Sequence, residues 1–195
     1  MAGLPHFRNS QAGLQKYEPI YLNQFEVNIT PPPLVAGRIG WNFALQHVVS
    51  ISALPEYAGG GGGQEQTQRY KFAERIYAPG KPKGTAHRFT VNFELNLSEN
   101  NENYIYNAFR SWANLIYDPL TGAQGLKKDY ADAIVEVVQF NRAGSIFRQF
   151  TFSPVFLGAE SLKDLGGNLN YSEDKILQLT VAFVADQYTE TRIGQ

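Results

Sequence analysis

The feature that most constrains this chain is an alternation of period two that returns in segment after segment. In HRFTVNFELNL, His87, Phe89, Val91, Phe93, Leu95 and Leu97 fall on one side, against Arg88, Thr90, Asn92, Glu94 and Asn96 on the other. Side chains of an extended strand point alternately to opposite faces, so this spacing predicts a half-buried strand. KILQLTVAFVAD repeats it through Leu177, Leu179, Val181 and Phe183. YLNQFEVNIT repeats it through Phe25, Val27 and Ile29, until Pro31, Pro32 and Pro33 end the ladder. Four less regular strands are expected at about 43–54, 67–78, 132–141 and 146–156, the last two joined as a hairpin by NRAGS. The stretch from Leu157 to Asp174 reads mostly as loop.

One segment keeps a different period. Ile105, Ala108, Phe109, Trp112, Leu115 and Ile116 recur at helical spacing, which predicts a helix over about 101–117. Ser98 or Asn100 is placed to cap its start, and Asp118-Pro119 ends it. Its expected core stripe is Ile105, Phe109, Trp112 and Ile116, packed on a sheet. Seven or eight strands and one helix in 195 residues give a mainly β chain. The expected architecture is a two-sheet β-sandwich or partial barrel with one flanking α-helix. Residues 1–19 read as an arm or extension, 20–190 as the domain and 191–195 as a tail.

Composition narrows the function classes. A hydrophobic fraction of 43%, with 13 Phe, 11 Tyr and 2 Trp, supports a real core. A net charge of −1 argues against a strong electrostatic grip on nucleic acid or an anionic membrane. Cysteine is absent, which removes disulfides, thiol nucleophiles and thiolate metal sites. No apolar run has the length of a signal peptide or a bilayer span. His6, His47 and His87 lack metal-ligand spacing, and Asp118, Asp129 and Asp132 read as solvated loop carboxylates. The run Gly59, Gly60, Gly61, Gly62, Gly63 is not a dinucleotide fingerprint, because Gln64 and Glu65 stand where its third glycine would fall. No catalytic, cofactor or metal residues are therefore expected, and the chain reads as a non-enzymatic protein whose function lies in its surfaces.

Those surfaces have a pattern. Gln46, Ser50 and Ser52 oppose His47, Val49, Ile51 and Ala53, with Val48 interrupting. Arg69, Lys71 and Arg75 oppose Tyr70, Phe72 and Ile76, while Gln149, Thr151 and Ser153 oppose Ile146, Phe150 and Phe152. A sheet with one apolar face and one polar face is a sandwich wall, and equally the wall of a water-filled channel. ADAIVEVVQFN is apolar on both faces and shows no polar side.

The order of these segments carries a resemblance. LNQFEVNI leads to VVSISALPEY, then to QRYKFAERIYAPG, the long alternating strand and NAFRSWANLIYDPLTG. ADAIVEVVQFN, IFRQFTFSPVFLGAESL and ILQLTVAFVADQY follow. Over about 20–188 this resembles the tail tube proteins of contractile phages and the inner tubes of contractile injection systems. The resemblance implies a tail-tube fold whose subunits form stacked hexameric rings around a lumen. It implies lumen strands at 43–54, 67–78, 132–141 and 146–156, with Gln46, Ser50, Ser52, Arg69, Lys71, Arg75, Gln149, Thr151 and Ser153 facing the channel. It further implies sheath, baseplate or tube-initiator and terminator proteins as partners. DNA would pass through without specific binding, in a phage tail assembled in the bacterial cytoplasm. The glycine run is expected to act in ring stacking. Two alternatives stay open: the tube of a type VI or extracellular injection system, and a monomeric β-sandwich that binds carbohydrate through exposed aromatics.

Overall fold

The alternation of HRFTVNFELNL becomes strand β5 (His87–Glu94), with Phe89, Val91 and Phe93 fully buried. The computed structural model describes residues 21–37, 41, 46–55, 66–70, 73–77, 86–100, 102–159, 161–162 and 175–192; for 66–70 and 73–77 it describes the backbone. The other strands are β1 (Phe25–Thr30), β2 (Val48–Ser52), β3 (Gln66–Tyr70), β4 (Ala73–Tyr77), β6 (Ala133–Phe140), β7 (Ile146–Leu157), β8 (Gln178–Ala185) and β9 (Tyr188–Arg192). The helices are α1 (Pro33–Ala36), α2 (Tyr104–Ile116) and α3 (Lys127–Tyr130). Seven strands form one unclosed antiparallel sheet in the order β1-β6-β7-β8-β5-β2, with β9 also paired to β7.

The sheet folds over on itself along β7. Residues 148–152 of this long strand pair with β9, and 155–157 pair with β8. Ala133 pairs with Val155 and Val135 with Phe152, so β7 carries one extra residue at Ser153-Pro154. Such a bulge bends a strand and shifts the phase of its side chains. The burial follows that shift, from Phe150 and Phe152 to Val155 and Leu157. The first layer is then β1, β6, the first half of β7 and β9; the second is the end of β7, β8, β5 and β2. In a flat sheet, Phe152 would lie roughly 15 Å along β7 from Leu157, the residue in register with Phe183 beside Phe89. Instead the rings of Phe89 and Phe152 stack with centroids 4.3 Å apart. The apolar faces meet.

Helix α2 completes the core. Asn103 caps it, its side chain accepting the Tyr106 N–H at 3.2 Å. Ser98, one of the two expected caps, accepts the N–H of Glu102 one turn earlier. Ile105, Ala108, Phe109 and Trp112 are buried, and Ile116 packs partly buried against the same cluster. Phe109 meets Phe93 and Trp112 meets Phe183, which places the helix on the inner face of β5 and β8. Trp41 packs edge-on against both Phe109 and Trp112.

Three expectations need correction. The single strand at 67–78 is a hairpin, in which residue 66 pairs with 77 and residue 70 with 73. The alternation runs on either side of a two-residue connection, the commonest hairpin length, so it reads as unbroken in the sequence. The strand expected from residue 43 begins at Val48, preceded by a helical turn at 46–47. Finally, Val49 is an extra residue in β2, since Val48 pairs with Phe93 but Ser50 with Asn92. That bulge explains why Val48 interrupts the polar face. The hairpin at NRAGS forms as expected: the Asn141 side chain accepts the N–H groups of Ala143 and Ser145, and Gly144 takes φ +79°.

Candidate functional site

Each layer turns its apolar face to the shared core and its polar face to solvent. On the first layer, Asn28 pairs with Glu136, Glu136 with Thr151 and Thr151 with Thr189. Directly opposite residues share a face, so these side chains form one row. The next row runs Glu26, Val138, Gln149 and Thr191. Glu136 accepts from Asn28 at 3.4 Å and from Gln149 at 3.5 Å. The wall is polar; its charges in these rows are the carboxylates of Glu26 and Glu136. On the second layer, Asn92 donates to Ser50 at 2.9 Å and accepts from Thr180 at 2.9 Å.

The residues expected to face a channel are thus divided. Gln149, Thr151 and Ser153 lie on the first wall. Ser50 and Ser52 lie on the second, facing the other way, because both polar faces point away from a common core. Gln46 is exposed in the turn before β2. Arg69 and Arg75 belong to the β3–β4 hairpin, where residue 69 pairs with Glu74 and 75 with Gln68. Lys71 and the run Gly59–Gly63 lie outside the described residues.

Histidine chemistry resolves into structure. Asn96 donates to Nδ1 of His47 at 3.0 Å, which leaves the ring proton on Nε2, directed at the Tyr104 oxygen. Burial pushes the Tyr104 hydroxyl up from its ordinary pKa, so it stays neutral. His87 donates from Nε2 to the carbonyl of Ala53 at 2.9 Å, and Ala53 holds a left-handed φ of 60° at the end of β2. Among the described residues no group of His, Asp and Glu has the geometry to hold a metal ion. Both tryptophans are buried, and the exposed Tyr21, Tyr117 and Tyr188 lie on separate elements, so no aromatic platform forms from them.

Strand β9 was not expected from the sequence. Glu190 accepts from Arg148 of β7 at 2.8 Å and from Arg192 at 2.9 Å. The Arg192 hydrogen bond, then Arg148, holds its carboxyl below the usual range. A depressed carboxylate contributes stability present above its unfolded pKa and lost as pH falls through the folded one. The melting temperature of wild type should therefore exceed that of Glu190→Gln near neutrality. The gap should narrow as pH is lowered through about 4 and below. A gap independent of pH would show that the ion pairs do not hold β9.

Among the described residues, β1, β2 and β9 of the seven-stranded sheet each pair along one edge only, as do β3 and β4 of the separate hairpin. Between the β1–β6 edge and β2 opens a cleft of about 610 Å³. Leu22, Phe25, Val48, Val49, Ile51, Leu54 and Val137 line it together with the polar Asn23, Ser50 and Gln139.

No protein-family profile matches the chain, and no curated protein matches it. Solved structures do. The chain is similar to one in a sheath–tube complex of an extracellular contractile injection system (PVC, extended state). That match has a TM-score of 0.57 and 13% identity, and covers 93% of this chain and 97% of the other. The chain has the tail-tube fold. The tube-terminating cap of the anti-feeding prophage shares this tail-tube architecture at a TM-score of 0.53 and 16% identity, over 90% of this chain and 93% of that one. A chain of the anti-feeding prophage baseplate does so at 0.52 and 11%, over 92% and 99%.

Proposed function

We propose that this tail-tube chain is a structural, non-enzymatic subunit that closes into hexameric rings and stacks into the hollow inner tube of a contractile machine. The observation that carries this is a likeness spanning nearly the whole of both chains, to components of sheath–tube, cap and baseplate assemblies. The edges of β1, β2 and β9 that are unpaired among the described residues support it, because an unpaired strand edge is satisfied by a neighbour's backbone. In a phage tail, sheath, baseplate and terminator proteins would be its partners, and the tube would conduct the genome. That the similar chains come from extracellular injection systems favours a second reading, an injection tube carrying other cargo. The glycine run Gly59–Gly63 belongs to ring stacking in either, since five glycines are costly to order without a partner.

Within a tube, the channel face is the first wall, with Gln149, Thr151 and Ser153. Its rows are polar, and carboxylates there repel phosphate, whereas tight DNA binding needs many cationic contacts. Electron microscopy of the concentrated protein should show hollow rings or tubes. Cysteine introduced at Thr151 in this cysteine-free chain should react in tubes with a small thiol reagent and resist one too bulky to enter. Cysteine at Ser50, on the opposite wall, should not show that contrast. Size selectivity at Ser50 and not Thr151 would move the channel to the second wall; solid aggregates or a strict monomer would remove the ring reading.

A further inference from the structure

Strand β9 is the far end of a longer ribbon. It continues β8 along β7 in one register, with Ala185 paired to Val155 and Tyr188 to Phe152. Between those pairs the Asp186 N–H donates to Pro154 O and the Ser153 N–H to Gln187 O, both at 3.1 Å. The other edge of β8 is covered by β5, but that ladder ends where His87 meets Ala185. Beyond Ala185 the strand therefore has β7 as its one partner among the described residues. Of the five residues Tyr188–Arg192, Glu190 is partly buried and the others are exposed. A strand end with one neighbour and little buried apolar surface opens at a lower free energy than the whole fold.

The register makes that end conditional. Arg148 and Arg192 stand directly opposite each other in the β7–β9 ladder, and like charges so placed are destabilising. Arg148 is also held against its own strand, its guanidinium lying 4.4 Å over the Phe150 ring. Glu190 accepts from Nε of Arg148 at 2.8 Å and from Nε of Arg192 at 2.9 Å. One carboxylate thus turns a repelling pair into two charge-assisted hydrogen bonds. These arginines are the charged groups that face it. The residue opposite Glu190 is Phe150, and His87 of β5, beside Tyr188, is engaged by the Ala53 carbonyl. We propose that Glu190 is a latch: charged, it docks β9 on β7; neutral, it leaves two opposed arginines that part β9 from β7 back to Asp186, while the rest of the sheet stays folded. Release bares the 148–152 edge of β7 and removes Thr189 and Thr191 from the first wall. Because the arginines hold the carboxyl below its usual range, the latch is shut near neutrality and opens as pH falls through about 4 and below. A ring that closes through the outer edge of β9 then comes apart in acid, a consequence that alone rests on the ring-subunit reading.

Amide hydrogen exchange of the full-length protein, read peptide by peptide near neutral pH, tests the latch. In Glu190→Gln, residues 188–192 and the facing amides of 148–152 should exchange about threefold or more faster than in the wild type, with β5 and α2 unchanged. Adding Arg192→Gln removes one of the two opposed charges, so the double variant should regain part of the protection that Glu190→Gln loses. Wild-type protein taken to a pH of about 3.5 should show the same local loss once intrinsic exchange rates are divided out. Equal acceleration in β5 and α2 would mean that the whole fold loosens, and the latch falls. A double variant no better protected than Glu190→Gln overturns it too, by reducing Glu190 to an ordinary hydrogen-bond acceptor. So does a Glu190→Gln variant whose 188–192 segment exchanges at the wild-type rate. None of these readouts requires rings, so their failure and the failure of the ring reading are separate results.

Discussion

Replacing Trp112 by alanine lowers the unfolding free energy by about 3–5 kcal/mol, the range for deleting a fully buried large aromatic side chain. Its indole is 0% exposed and sits among Trp41, Phe183 and Phe109, with ring centroids 5.8, 6.0 and 6.5 Å away. The loss is therefore a cavity bounded by α2, β8 and the segment at Trp41, which cannot all collapse inward together. A second component is polar. Trp112 Nε1 donates to the Tyr130 carbonyl at 2.8 Å, tying the end of α3 to the middle of α2. Trp112→Phe keeps most of the apolar contact and removes that donor, and should cost about 1–3 kcal/mol. Urea denaturation followed by circular dichroism separates the two variants. A loss below about 1 kcal/mol for Trp112→Ala would mean that the helix is not packed on the inner face of the sheet.

How much of this was legible depended on whether a residue's partner lay nearby in the sequence. The strands β1, β5 and β8, the first half of β7 and the helix α2 were legible because each shows its own period, and period reports which face is buried; β6 was located, but its sequence is apolar on both faces and left its buried side open. Strand β9 was not. Its residues, YTETR, have no apolar alternation; it is held by pairing with β7 and by Glu190 between Arg148 and Arg192. The bulges at Val49 and at Ser153-Pro154 shift the phase of β2 and β7, which a fixed period of two cannot represent. The place of Trp41 has no local signal either: it is 7% exposed because its partners, Phe109 and Trp112, lie on a helix far along the chain. The polar faces followed the same logic. That Ser50 and Thr151 are each polar-facing was readable from local alternation. That they belong to different walls depends on the strand order β7-β8-β5-β2, which no local pattern holds.

Strand order also fixes what joins the two layers, and the joint can be measured. Phe152→Ala and Phe89→Ala should each cost about 3–5 kcal/mol, since both side chains are at most 1% exposed. Their rings belong to opposite layers and stack at 4.3 Å, so the two losses should not add. Once one ring is gone, the other has already lost its partner face. The double variant should therefore be less destabilised than the sum, by about 0.5–1.5 kcal/mol, the usual worth of an aromatic pair beyond its buried area. Phe150→Ala provides the control. Phe150 is equally buried on the same strand, but its ring is 6.3 Å from Phe152, and it pairs within the first layer with Val137 and Glu190. Its loss should be nearly additive with that of Phe89. Coupling between Phe89 and Phe152 alone would place the fold of the sheet at the β7 bulge. Equal coupling at Phe150, or none at either position, would mean that the layers meet elsewhere and that the polar walls are not set back to back.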